Sequence, residues 1–220
     1  MQLSVKPELV IFDVDGLMLN TEFIWKKAWE ESGRLNGIDS FGSAFCKAVG
    51  ITGEDVERML AAEYPHEPWR IALAQAREIG SRKLLAEVDV MPGVMELLAV
   101  LEKLQIPKAV ATTTSRIQTE ERLSKLHLLT SFDCILCGDE VKYRKPNPEI
   151  YQTVLRKMNC RPEDALVLED TGYGVRAASA AGIRVIMVPS INTPAPEDIQ
   201  RSFAIVPSLL EVKKMMEIFI

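Results

Sequence analysis

The segment Asp13-Val14-Asp15-Gly16 sets two carboxylates two residues apart, and Glu169-Asp170 sets two more side by side. Between them the chain carries a run of hydroxyls, Thr112-Thr113-Thr114-Ser115, and a lysine, Lys145, ahead of Pro146-Asn147-Pro148. These types suit a metal and a phosphate held together. Mg²⁺ prefers oxygen ligands and keeps several waters, so two or three carboxylates and a carbonyl satisfy it. A phosphate monoester is dianionic and repels a carboxylate nucleophile until a metal and a lysine neutralise that charge. Hydroxyl and backbone N–H donors can then hold its equatorial oxygens. A second carboxyl two residues from the nucleophile can protonate a leaving alkoxide and later deprotonate water. Taken singly, each piece has an ordinary explanation: Asp-x-Asp-Gly is a common turn, and a hydroxyl run or an acidic pair can cap a helix. Only their conjunction is specific.

That conjunction depends on the elements that carry the residues. Leu9–Phe12 is a short continuous apolar run of the kind a buried parallel strand requires, and 106–111, 132–137, 165–168 and 183–188 are similar. All but the last of these runs are followed by one of the polar groups above or lead toward it. Between the runs lie helical patterns. Val94, Leu97, Leu98, Leu101 and Leu104 share a face, Ile117, Leu123 and Leu126 mark a second helix, and Asn147 with Pro148 caps and opens a third that carries Ile150, Tyr151, Val154 and Met158. Strands alternating with helices predict a doubly wound, mostly parallel α/β sheet, in which ligands bind beyond the carboxyl ends of the strands. Residues 21–87 break the alternation, with helix formers throughout and no strand pattern. The expected organisation is core over 1–20, an inserted helical unit over 21–87, and core again over 88–220.

Composition fits that class. Hydrophobic residues make up 47% and charged residues 26%, as in an ordinary globular domain. The net charge of −5 argues against a nucleic-acid surface, which needs excess Lys and Arg. No apolar run approaches the ~20 residues of a membrane span, and the first residues lack the pattern of a secretory signal. A cytoplasmic protein with a small-molecule partner is expected, a monomer or weak dimer. Cys134 and Cys137 spell C-x-x-C, but three positions apart in a strand face opposite sides, so they are read as core cysteines. His66 and His127 stand alone and are read as surface or packing residues.

Taken together, Asp13-Val14-Asp15-Gly16-Leu17, Thr112, Lys145 in Lys-Pro-Asn-Pro, and Glu169-Asp170-Thr171-Gly172-Tyr173-Gly174 resemble the haloacid dehalogenase superfamily. The likeness is to its phosphatases with a helical cap inserted after the first strand, among relatives of β-phosphoglucomutase and the sugar- and nucleoside-phosphate phosphatases. It continues through Ala177-Ala178-Ser179-Ala180-Ala181-Gly182 and covers nearly the whole chain. The resemblance implies Asp13 as nucleophile and metal ligand, and Asp15 as acid and base that also lends its carbonyl to Mg²⁺. Thr112, with Thr113, and Lys145 would hold the phosphoryl group. Asp170 would complete the metal site, with Glu169 beside it directly or through water. Cap residues Trp25, Thr52, Gly53 and Glu54 are the expected contacts to the rest of the substrate, with Trp29 as cap core. Asp15 fits phosphatases and mutases rather than dehalogenases. The first cap helix carries Trp25 and no histidine, which makes a phosphomutase the lesser alternative. Asn20 stands where relatives often have Asp.

Two other classes compete. Gly172-Tyr173-Gly174-Val175-Arg176-Ala177 fits G-x-G-x-x-A, the fingerprint of a dinucleotide-binding oxidoreductase. Glu169 and Asp170 would repel its pyrophosphate, however, and no acid follows the next strand. A phospho-receiver switch also combines acids, a hydroxyl and a lysine, but needs neither the insert nor a second acid two residues after the first.

Overall fold

The computed structural model describes residues 3–51 and 53–220. Six strands form one sheet: β1 (Leu9–Phe12), β2 (Lys108–Ala111), β3 (Cys134–Leu136), β4 (Ala165–Glu169), β5 (Arg184–Met187) and β6 (Ala204–Ile205). Their order is β3-β2-β1-β4-β5-β6, and every neighbouring pair is parallel. β1, β2 and β4 are buried along their whole length. Helices cover both faces of such a sheet, so neither face alternates toward water.

The strand runs end where the ladder ends. β2 starts at Lys108 rather than Ile106, because the Ile106 N–H closes the preceding helix on the Leu101 carbonyl and Pro107 has no N–H to give. β3 is shorter than 132–137, and β4 runs one residue past Leu168 to Glu169. The two-residue β6 had no sequence signal.

The first compact unit holds the chain to Leu19 together with Asp89–Ile220. Its helices are α5 (Val94–Lys103), α6 (Arg116–Lys125), α7 (Glu149–Met158), α8 (Gly172–Ala180), α9 (Pro196–Arg201) and α10 (Leu209–Glu217). The predicted stripe of α6 needs correction. Leu123 is buried, but Ile117 is 79% exposed, since six residues at ~100° each carry it about 120° around the axis from Leu123. α7 begins at Glu149, with Pro148 as its flanking residue rather than its first, and Asn147 Oδ1 accepts the Glu149 N–H at 3.0 Å.

The second unit, Asn20–Val88, contains α1 (Thr21–Leu35), α2 (Phe41–Ala48), α3 (Gly53–Glu63) and α4 (Trp69–Glu87), and no strand among its described residues. α1 packs on α2 and α4. Trp29 is the centre of its core, stacked on Phe41 at 4.7 Å and tilted against Phe45 at 5.5 Å. Ser32 Oγ donates to the Ala72 carbonyl at 2.6 Å, which satisfies a hydroxyl buried between α1 and α4. Gly80 on α4 makes room for the ring of Trp25, which a Cβ there would strike. Asn20 Nδ2 donates to the Glu87 carbonyl at 3.3 Å, so the two ends of this unit are tied. In the first unit, Leu19 and Val90 form an antiparallel bridge.

Candidate active site

The ladder continues one residue past the central strands. Asp13 N–H donates to the Leu168 carbonyl, Thr112 N–H to the Leu136 carbonyl and Val188 N–H to the Glu169 carbonyl. This register brings the ends of β1, β2 and β4 level, with Asp13, Thr112 and Glu169 at the same edge. All three are buried, as are Asp170 and Lys145, the latter from the loop between β3 and α7.

Lys145 joins them. Its Nζ donates to Asp13 Oδ1 at 2.6 Å, to Glu169 Oε1 at 2.5 Å and to the Ala111 carbonyl at 2.9 Å. The Tyr151 hydroxyl, from α7, donates to the same Glu169 oxygen at 2.7 Å. Glu169 Oε2 accepts the N–H groups of Asp170 and Thr171 at 3.1 and 3.3 Å and the Thr171 hydroxyl at 3.3 Å. Both oxygens of Glu169 are thus engaged. Ser190, beyond β5, donates to Asp170 Oδ2 at 2.6 Å.

Asp15 faces a different set. Arg122 Nη1, on α6, lies 2.7 Å from its Oδ1, and the hydroxyls of Thr114 and Thr112 reach its Oδ2 at 2.6 and 3.4 Å. Thr112 Oγ1 also accepts the Thr114 N–H at 3.1 Å. Thr113 is exposed, and its backbone packs against Gly138.

Asp13, Glu169 and Asp170 hold carboxylate oxygens within 4.8 Å of one another. Lys145 meets two buried carboxylates, Asp13 and Glu169, so the single ammonium leaves an excess of negative charge. Burial raises the Asp13 carboxyl to about 7, Lys145 pulls it down, and Glu169 and Asp15 push it up. Lys145 itself is held well above its ordinary value: burial disfavours its charge, but Asp13 and Glu169 outweigh that. The ammonium therefore stays charged, and the excess falls on Asp13. An all-oxygen donor set with uncompensated negative charge fits a hard divalent cation such as Mg²⁺. Burial also keeps the Tyr151 phenol well above its usual value, so it remains a donor.

The sequence assigned no site role to Arg122, Tyr151 or Ser190, and Thr114 entered only as a member of the hydroxyl run. Of the first three, Tyr151 alone carried a signal, because a buried phenol must find a polar partner. Cys137 is buried and Cys134 partly so, packed against the sheet's core. His66 and His127 are exposed.

In the helical unit, an open cleft of about 300 Å³ is lined by residues including Glu22, Trp25, Trp29, Phe45, Gly53 and Arg77. Trp25 is half-buried there, whereas Glu54 is exposed on the first turn of α3 and does not line the cleft. Thr52 lies outside the described residues.

The dinucleotide reading fails on this geometry. The Glu169 carboxylate occupies the approach to α8, pressed so close to Gly174 that a Cβ there would overlap it.

A parallel sheet whose strand ends gather Asp13, Thr112, Lys145 and two further acids defines a phosphoryl-handling class. The chain belongs to the haloacid dehalogenase-like hydrolase family, whose model matches residues 10–188. Several of its relatives in that family are named phosphatases. It is 33% identical over 191 residues to the phosphorylated carbohydrates phosphatase of Thermotoga maritima, covering 84% of this chain and 87% of that one. It is 33% identical over 198 residues to protein CbbY of Cereibacter sphaeroides, covering 84% and 86%. The solved structure of CbbY from Rhodobacter sphaeroides in complex with xylulose-(1,5)bisphosphate superposes with a TM-score of 0.73 at 29% identity, over 93% of this chain and 96% of that one. No helix among the described residues is long and apolar enough to cross a membrane.

Proposed function

We propose that this chain hydrolyses a small phosphorylated sugar or a similar metabolite through an aspartyl-phosphate on Asp13, with Mg²⁺ as cofactor. The observation that carries the reading is the buried array of Asp13, Lys145 and Glu169 beside Asp170, within the residues that the family model matches. Asp13 and Asp170 would hold the ion, with the Asp15 carbonyl. When bound, it would neutralise charge on the phosphoryl oxygens and on the nucleophile.

Asp13 attacks phosphorus, and the ester P–O bond breaks with its electron pair moving to the leaving oxygen. Asp15 gives that oxygen a proton, and the alcohol departs. Water then bonds to phosphorus while Asp15 takes its proton, the bond from phosphorus to Asp13 breaks, and inorganic phosphate leaves. Lys145 and Thr112 hold phosphoryl oxygens, with Thr113 contributing from the same loop. Glu169 fixes Lys145 beside Asp13. The sugar-phosphate class is supported by relatives that carry carbohydrate phosphates in their names. Residues of the helical unit around the Trp25 cleft would choose the alcohol.

A phosphate-release screen over sugar, nucleotide and small-acid phosphates tests the reading. Wild type should release phosphate with Mg²⁺ present, lose that activity to a chelator and regain it on adding Mg²⁺. Asp13→Asn should show no turnover, because an amide cannot form the acyl phosphate. Activity undiminished in Asp13→Asn, or conversion of a sugar phosphate to its isomer without phosphate release, would overturn it.

A further inference from the structure

We infer that Arg122 is a positioning residue for Asp15 that decides which carboxyl oxygen carries the proton, an assignment that rests on the phosphatase reading above. The Asp15 side chain is only 19% exposed and Arg122 only 13%. Its two oxygens meet donors of different kinds. Arg122 Nη1 donates to Oδ1 at 2.7 Å. A guanidinium has no acceptor and does not lose its proton in proteins, so Oδ1 is fixed as an acceptor. Thr114 Oγ1 donates to Oδ2 at 2.6 Å, and Thr112 Oγ1 reaches it at 3.4 Å. A hydroxyl donates or accepts with a turn of its rotor. Oδ2 can therefore carry a proton without stranding a donor, and Oδ1 cannot.

The proton thus works from Oδ2, on the side of Thr112, the residue proposed to bind the phosphoryl group. In the first step Oδ2 hands its proton to the leaving oxygen as the ester P–O bond breaks. In the second, Oδ2 takes a proton from water as water bonds to phosphorus and the bond to Asp13 breaks. Thr112, Thr114 and Arg122 all belong to the loop after β2 and the helix it enters, so one segment aligns the whole arrangement. Arg116 anchors that helix: its guanidinium donates to the Ile135 carbonyl at 2.7 Å and to Glu140. Without the Arg122 guanidinium the carboxyl can turn over, and proton delivery loses its direction.

The test is leaving-group dependence in the full-length chain with Mg²⁺. kcat/KM is measured for 4-nitrophenyl phosphate, whose leaving group needs little protonation, and for an alkyl phosphate such as a sugar phosphate found in the screen. Arg122→Met should lose at least about tenfold more on the alkyl ester than on the aryl ester, with the loss in kcat. Arg122→Lys, which keeps a charged donor, should recover part of that difference. A poorly folded variant lowers both rates in proportion, so the ratio reports positioning even if Arg122→Met is unstable. Equal losses on the two esters, or a change in KM alone, would overturn the inference and leave the phosphatase reading standing. Wild type that turns over neither ester would overturn both.

Discussion

Lys145 lies within 2.6 Å of Asp13 and 2.5 Å of Glu169, yet Asp13 is raised to about 7, chiefly by burial. One ammonium cannot neutralise the carboxylates around it, and in the metal-free chain a proton supplies the difference. A metal ligand must be deprotonated, so the proposed Mg²⁺ would have to displace that proton below about pH 7 and would displace nothing well above it. Apparent Mg²⁺ affinity should therefore fall roughly tenfold per unit as pH drops below ~7, and level off at higher pH. The same upward shift makes the metal-free fold lose stability as pH rises from the unfolded carboxyl value through 7. Mg²⁺-dependent gains in melting temperature at about pH 6, 7 and 8 measure the effect; equal gains at all three would refute it. Tyr151→Phe removes one of the donors on buried Glu169, and should cost about 1–3 kcal/mol in urea unfolding. A loss below ~0.5 kcal/mol would mean that water replaces the phenol. Asp13 was legible because it directly follows an apolar run, and Lys145 because it lies in the loop beyond one, ahead of Pro-Asn-Pro, whereas Tyr151 sits in a helical stripe where it reads as one more apolar residue. Arg122 was illegible because its partner is 107 positions away, and no local pattern encodes such a distance.

The helix after β4 shows how an element holds a site. Thr171 caps α8 by accepting the Gly174 N–H at 3.2 Å, and Gly174 leaves space for the Glu169 carboxylate. An alanine within a helix ordinarily stabilises it by ~1 kcal/mol over glycine. At 174 the sign should reverse, because the added methyl would overlap Glu169. A carboxylate at the end of a free side chain could swing aside, but Lys145, Tyr151, Asp170 and Thr171 all hold this one. Gly174→Ala should thus lose about 1–3 kcal/mol of stability and also lower kcat, since Lys145 shifts with Glu169. A variant as stable as wild type, with full activity, would show that Glu169 moves freely. At this scale the sequence was most informative in the middle of elements. The runs at β1, β4 and β5 are continuous and apolar because both faces are covered, so burial writes itself into the sequence. Ends are decided by which N–H finds which carbonyl, and that is why 106–111 began two residues early and Asn147 proved to cap from one position further out. The brief edge strand β6, with Ala204 half-buried and Ile205 38% exposed, lacks the burial that would have marked it.

Across the whole molecule, the residues of the proposed chemistry and those of the Trp25 cleft fall in different units: the acids, hydroxyls and lysine belong to the first, the cleft entirely to the second. The motif residues were readable because the reaction restricts their types; the cleft was not, because many combinations of apolar and charged residues enclose a similar space. Trp25 and Trp29 illustrate the difference. Both sit on α1 four residues apart, but Trp29 is locked by stacking on Phe41, whereas half-buried Trp25 rests over Gly80 and lines the cleft. Truncating Trp25 should therefore reshape the cleft with less harm to the helical core than truncating Trp29. If the second unit selects the alcohol, Trp25→Ala should alter kcat/KM among sugar phosphates while changing 4-nitrophenyl phosphate hydrolysis much less. The aryl ester depends mainly on groups in the first unit, and its leaving group needs little recognition. Glu54→Ala tests the exposed start of α3 in the same way and should have the smaller effect, since Glu54 is outside the cleft. The measurement is the ratio of kcat/KM for the best sugar phosphate to that for the aryl ester, in each variant and in wild type. A ratio that stays within about twofold in both variants, ~0.4 kcal/mol, would mean that selection lies outside α1 and α3. A large change from Glu54→Ala with none from Trp25→Ala would move the selector from the cleft to the exposed turn.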